Sequence, residues 1–404
     1  MAFQTGSNYL VALKREEAAT PGTAATAGSA AVLRTLDSPG MKLTRANIMS
    51  AERNAAMTKP IARIGFKGVD GSYNTEWSVG GGHDILLEAL VRGTWSAEST
   101  ITYDNSAALT SLEVTGTNEI TSVGTTSFVA AIFEGDIIYL TDMSTAANNN
   151  VNCRVIGVAA NVLTLAGTPL TIQVADIACS LVRLKKVYTP ATPTRYSHTI
   201  EQYSTDIDLS ELFLGCRLIN AKFSFKPGQH ATISFAFLGM DRTLLLTGTS
   251  PWFTAPAVST GISVVADDSV IVSGGSVVTT YTGMDLDFTI AAKGEPTIGN
   301  LVTPDIFDND FSCSGSITGL RENFANLISY DAETEFALGM KLEEPVAAPK
   351  PAVGLWLPRV KIGGIEAPLG GDGGQIETRT LLIGPSVATT TLHASPVIFH
   401  SSGA

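Results

Sequence analysis

"NAKFSFKPGQHATISFAFLGMD", Asn220 to Asp241, alternates apolar and polar residues on both sides of a Pro-Gly pair. Ile219, Ala221, Phe223 and Phe225 fall on one face, and Asn220, Lys222, Ser224 and Lys226 on the other. After Pro227 and Gly228 the alternation resumes as Ala231, Ile233, Phe235 and Phe237. A period of two gives a strand one apolar and one polar face, and Pro-Gly marks the turn between two such strands. The stretch reads as a long β-hairpin with an aromatic face. Such a hairpin has three homes: a membrane barrel, a sandwich core, or the wall of something larger.

Composition narrows the choice. The chain has 404 residues, of which 44% are hydrophobic and only 16% charged, against roughly 25% charged in ordinary soluble proteins. Its apolar runs are interrupted well short of the roughly 18 residues a membrane helix needs. A chain so poor in charge is expected to hide surface against other chains. The first residues, "MAFQTGSNYLVALKREE", lack a basic leader and a long apolar core, so export, and with it an outer-membrane barrel, is not expected. Cys153, Cys179, Cys216 and Cys313 lack CxxC spacing and read as free buried thiols in a reducing compartment, with a Cys153–Cys179 disulfide as the minor reading. The net charge of −12 comes without a long Lys/Arg cluster, which argues against tight nucleic-acid binding.

Along the chain, residues 1–40 are rich in Ala, Thr and Gly and read as a flexible arm. Residues 41–103 with 190–250 form a first β domain, in which a strand and three glycines lead into a short helix with Ile85, Leu86, Ala89 and Leu90 on one stripe. Between them, residues 104–189 carry short β-rich runs separated by Gly, Asn and Asp turns, an inserted small β-barrel or sandwich. Residues 251–404 read as a second β domain that repeats the first: strand, Gly turn, helical stripe (Leu320, Phe324, Leu327, Ile328), then a long hairpin. Leu214–Gly239 lines up with Leu357–Gly384, the second two residues longer at its turn. The fold class is mainly β with few short helices, duplicated in tandem.

Chemistry is hard to find. His83, His198, His230, His393 and His400 form no HxxxH or HExxH spacing. "CSGSITG" (Cys313–Gly319) has the wrong order for a nucleophile elbow. Asp305, Asp308 and Asp310 lack the Gly and Glu of a calcium loop and read as a surface turn. "GGDGGQ" (Gly370–Gln375) and "SGGS" at Ser273 read as turns, because neither joins a strand to a helix. No catalytic, cofactor-binding or metal residue is assigned, and no enzyme activity is expected.

The run "YSHTIEQYSTDID" followed by "LFLGCRLINAKFSFKPGQHATISFAFLGMD" resembles the tail tube proteins of long, non-contractile-tailed bacteriophages. The segment Glu76–Trp95 and the region from "DFSCSGSITG" to "LWLPRVKI" are similar to that family as well, so the likeness covers roughly residues 40–103 and 190–390. The inserted 104–189 module departs from its simplest members. The resemblance implies a structural virion protein with a tail-tube β-sandwich fold, whose sheets join between copies into a closed inner barrel. Rings then stack into a hollow tube that conducts DNA into the host, assembled in the host cytoplasm. Implied partners are the chain itself, the tape-measure protein, the tail terminator and passing DNA. Two tube-like units per chain favour a ring of three chains with pseudo-six-fold symmetry over a ring of six. Phe223, Phe225, Ile233, Phe235 and Phe237 are then the apolar side of a tube-wall hairpin. A lumen that lets DNA slide is expected to be acidic or neutral, with Lys222 and Lys226 matched by acids near Asp206 and Asp208. The alternative is another phage ring protein: a tail terminator, a baseplate ring or a capsid decoration.

Overall fold

A computed structural model describes residues 3–6, 8–52, 58–346, 348–369 and 373–403. Among them the chain is mainly β, with two α-helices. Four strands, β1 (Tyr9–Arg15), β2 (Ala31–Val32), β3 (Gly40–Ile48) and β4 (Arg63–Glu76), precede helix α1 (Gly82–Val91). An insert then runs from β5 (Ser99–Tyr103) to β12 (Cys179–Arg183). The chain continues through β13 (Lys185–Tyr188), β14 (His198–Ser204), β15 (Leu209–Phe225), β16 (Thr232–Gly239) and β17 (Asp241–Leu245). The last third holds β18 (Ser269–Ser273), β19 (Ser276–Val278), β20 (Tyr281–Gly294), β21 (Ile306–Leu320) and α2 (Ala325–Asp331). It closes with β22 (Phe336–Glu343), β23 (Ala352–Glu366), β24 (Ile376–Gly384) and β25 (Ile398–Ser401).

One face of the molecule is a continuous antiparallel sheet of eight strands in the order β3-β4-β16-β15-β20-β21-β24-β23. Two strands leave it by bending. β15 turns at Gly215, whose φ of 64° suits glycine. Its first half lies between β14 and β17 in a second layer. β23 does the same, its first half lying between β22 and β25. The second layer is built outward in both cases: β14 carries β1 and then β2, and β22 carries β18 and then β19. The strand order of the first half therefore recurs in the second.

The core lies between the layers and does not divide where the halves meet. Phe223 sits edge-on to Trp77 and to Phe288 at centroid distances of 5.4 Å and stacks on Phe399 at 5.6 Å. These rings come from both halves, and each is at most 1% exposed. Burying one such side chain is worth roughly 1.5–3 kcal/mol. A cluster across the halves adds to this: Arg217 donates to Asp308 at 2.6 Å and Asp305 at 2.8 Å, and Arg195 reaches both. The expected surface turn is therefore not one: Asp308 and Asp310 lie in β21, and the arginines hold Asp305 and Asp308. No metal-holding group of His, Cys, Asp or Glu exists among the described residues.

Several expectations need correction. Residues 1–40 are not simply an arm: β1 pairs along its whole length with β14, and Val11, Ala12 and Leu13 are buried. Alternating Leu10–Lys14 is too short to stand out in a low-complexity stretch. The helical stripe in the second half is shorter than its spacing suggests, since Leu320 ends β21 and Phe324 is the residue before α2. Ile219 does not share the regular face of the hairpin, because a β-bulge falls between Leu218 and Asn220. The four cysteines are free, as the main reading expects, so the Cys153–Cys179 disulfide is not formed, and only Cys313 is less than fully buried.

The insert folds around its own core of Tyr103, Leu112, Ile120, Phe128, Leu140, Val155 and Leu163. It is fastened to the second half by a buried arginine. Arg154 donates to the carbonyls of Gly135 and Met340, both at 2.6 Å, and lies over the Trp356 ring. Beside it, Lys186 donates to both carboxylate oxygens of Asp136 at 2.7 and 2.8 Å, with His400 at 3.4 Å.

Candidate assembly surface

The hairpin from which the sequence reading began is β15–β16. Its register pairs Leu218 with Phe237, Ala221 with Phe235 and Phe223 with Ile233. Phe223, Phe225, Ile233, Phe235 and Phe237 are all at most 3% exposed and point into the core. Gly228, with φ 71°, makes the turn. The structure thus brings the five named residues together on one face.

The opposite face of the eight-stranded sheet is open and polar. Lys42, Asp70, Ser72, Ser234, Lys222, Asp287, Ser314, Thr380 and Glu366 alternate with the buried positions. Carboxylates lie near Lys42 and Lys361, and one faces Lys222 across the ladder. Lys42 lies 3.3 Å from Asp70, Lys361 lies 3.4 Å from Glu333, and Lys222 stands directly across the ladder from Asp287. Asp287 in turn accepts from Asn220 at 2.5 Å and Thr289 at 3.0 Å. The expected partners of Lys222 and Lys226, Asp206 and Asp208, are elsewhere: they sit in the turn between β14 and β15, on the second layer, where Asp206 accepts from the Thr5 amide. Sequence distance misled here, because the partner strand β20 lies beyond the hairpin and its identity depends on tertiary pairing.

The two ends of this sheet differ. Antiparallel alternation puts the β3–β4 and β20–β21 connections at one end and the β15–β16 and β23–β24 connections at the other. Residues 370–372, within the predicted Gly370–Gln375 turn, lie outside the described residues. Gly274 and Gly275, both at positive φ, make the predicted Ser273 turn between β18 and β19. At the long-connection end the apolar side chains Ile48, Met49, Ile61 and Ile64 are exposed on the first arm, and Ile298, Leu301 and Phe307 on the second. Apolar residues grouped like this mark interaction surfaces.

Three of the histidines are buried in the fold. His83, in the first turn of α1, is held between Ser78 Oγ at 3.2 Å and Thr75 Oγ1 at 3.1 Å. Burial lowers its pKa to about 4, with the Arg34 charge adding to the effect. His198 and His400, fully buried, are also lowered to about 4, chiefly by burial. No helix among the described residues is long and apolar enough to cross a membrane. No curated protein matches the chain. The model of one protein family, described as phage tail tube protein, matches residues 6–380.

Proposed function

The chain belongs to the phage tail tube proteins, structural components of the virion tail, and from that premise we propose that it self-assembles into stacked rings that form a hollow conduit for DNA. The observation that carries this reading is the eight-stranded sheet with one polar face and two ends that pair on one side only. β3 pairs with β4 alone, and the end of β23 beyond Val360 pairs with β24 alone among the described residues. An unpaired edge of this kind invites another strand, and a ring of copies that join edge to edge leaves none.

The recurrent strand order supports a tandem duplication, with 41–103 plus 190–250 and β1–β2 in one unit and the chain from β18 onward in the other. Three copies then supply six units, a ring with pseudo-six-fold symmetry; six copies is the alternative. The polar face is the lumen. Serines, threonines and lysines matched by carboxylates give phosphate little to hold, since adhesion to DNA grows with each unmatched cation. The exposed apolar residues on the two arms suit contact with the next ring. The tape-measure protein within and a terminator at the end are the further partners, assembly takes place in the host cytoplasm, and the insert decorates the outside.

Negative-stain microscopy of the purified protein tests the reading. Hollow tubes several rings long are expected; a single ring points to a terminator or baseplate ring instead. Monodisperse monomers at high concentration, or a channel lined by unmatched Lys and Arg, overturn it.

A further inference from the structure

The seam between the two halves inside one chain is a template for the seam between chains. Within the chain, β15 of the first half meets β20 of the second, pairing Ala221 with Phe288 and Lys222 with Asp287. The counterparts of these two strands are the two free edges, β23 and β3.

The equivalence is fixed by irregularities, which cannot slide along a strand. β15 has its bulge at Ile219 and β23 at Gly363. The β3–β4 ladder breaks opposite Ala46, with the extra residue on β4 at Gly65–Phe66, and the β20–β21 ladder breaks opposite Ala291, with the extra residue on β21 at Asn309–Asp310. A close-approach glycine gives a second anchor. A Cβ on Gly71 would lie 2.2 Å from the Gly40 carbonyl oxygen, and one on Gly315 would lie 2.8 Å from that of Asp285. Gly71 faces Met41 on one side and Phe237 on the other, and Gly315 faces Leu286 and Leu381. Both anchors give one correspondence: Met41 with Leu286, Lys42 with Asp287, Leu43 with Phe288, Ala221 with Ile365, and Lys222 with Glu366.

We propose, resting on the ring reading above, that β23 of one copy adds to β3 of a second copy in the internal register, with Ile365 opposite Leu43 and Glu366 opposite Lys42. Charge supports the register independently. The internal pair is Lys222 opposite Asp287; at the edges both signs are reversed, Glu366 opposite Lys42, and the pair remains complementary. Parity supports it as well, because Leu43 packs against the core and Ile365 shares the face of buried Arg379, directly across from it. A slip by one residue would turn Ile365 to the polar face. Proline bounds one end of the ladder on both strands: Pro39 precedes β3 and Pro368 follows β23, and neither has an amide to donate.

Cross-linking of the full-length assembled protein tests this. Directly opposed antiparallel residues lie about 4.5–5.5 Å apart at Cα, within disulfide reach. The variant Lys42→Cys with Glu366→Cys, oxidised as tubes, is expected to give a ladder of covalent multimers that ends at the ring size, while Lys42→Cys with Gly364→Cys stays monomeric on a non-reducing gel, as does the parent protein. Tubes that cross-link only through the Gly364 pair, or through neither, overturn the register and leave the ring reading intact. Absence of tubes or rings from the parent protein overturns the ring reading itself. Charge exchange reads the same contact without disulfides. Lys42→Glu and Glu366→Lys singly are each expected to lower the sedimentable fraction about tenfold, and the double exchange to restore it; a double variant no better than the singles overturns the pairing.

Discussion

The hairpins β15–β16 and β23–β24 occupy the same place in the strand order, yet they bury opposite chemistry. Where the first has Ile233 and Phe235, the second has Glu377 and Arg379: Phe235 lies opposite Ala221, and Arg379 opposite its counterpart Ile365. The helices above them follow suit. α1 buries Leu86, Leu87, Ala89, Leu90 and Val91, and its His83 ring lies 6.1 Å from Phe235. α2 has no buried residue and is tied down instead by Asn326, which donates to Glu377 and accepts from Arg379. The insert explains part of the difference. Its flanks return over α1, Trp95 donating to the Asp84 carbonyl at 2.9 Å and Lys185 reaching the Asp84 carboxylate at 2.7 Å. α2 leads straight into β22 and receives no such cover. One backbone plan is thus stabilised by apolar burial in one half and by a buried ionic network in the other.

Truncation should separate the two modes most strongly at the rings. Phe235→Ala leaves a cavity in the shared core and is expected to cost about 3–5 kcal/mol, read as a loss of urea midpoint with the slope unchanged. Arg379→Ala strands Glu377, which is 1% exposed and has Arg321 only at 3.8 Å, and should cost about 3 kcal/mol. Replacing both together, Glu377→Leu with Arg379→Met, should be neutral or stabilising by ~1–4 kcal/mol. If the double change is as damaging as the single one, the second hairpin needs its charges for more than pairing.

Acid should weaken the first half through its histidines. His83 and His198 stay neutral in the fold down to about pH 4, whereas in the unfolded chain they take up protons near 6.5. The unfolded state then binds more protons between those limits, so stability falls as pH drops from about 6.5 to 4 and the loss levels off below. Each histidine accounts for on the order of 3 kcal/mol at about 1.4 kcal/mol per unit. Melting temperatures across that window should show a shallower slope for His83→Gln than for the parent. The smallest effect is expected on α2: Ile328 is exposed, and Ile328→Ala in the unassembled chain should change stability by no more than about 0.5 kcal/mol, against about 2–5 kcal/mol for Leu86→Ala in α1.

The sequence carried the parts of the fold that obey a local period. The β15–β16 hairpin, with its turn at Gly228 and its five buried residues, follows from alternation and a Pro-Gly pair, and α1 from the Leu86–Ala89–Leu90 spacing. It did not carry β1, whose alternation is brief, or the buried face of β24, where the charged Glu377 and Arg379 are met by Asn326. Lys222 shows why. Its polar face was set by the period of its own strand, but its partner Asp287 lies on a strand that only the meeting of the two halves brings alongside. Periodicity fixes which side of a strand a residue faces; which strand lies next to it, and which edges remain unpaired, depend on long-range pairing that leaves no local pattern in the chain.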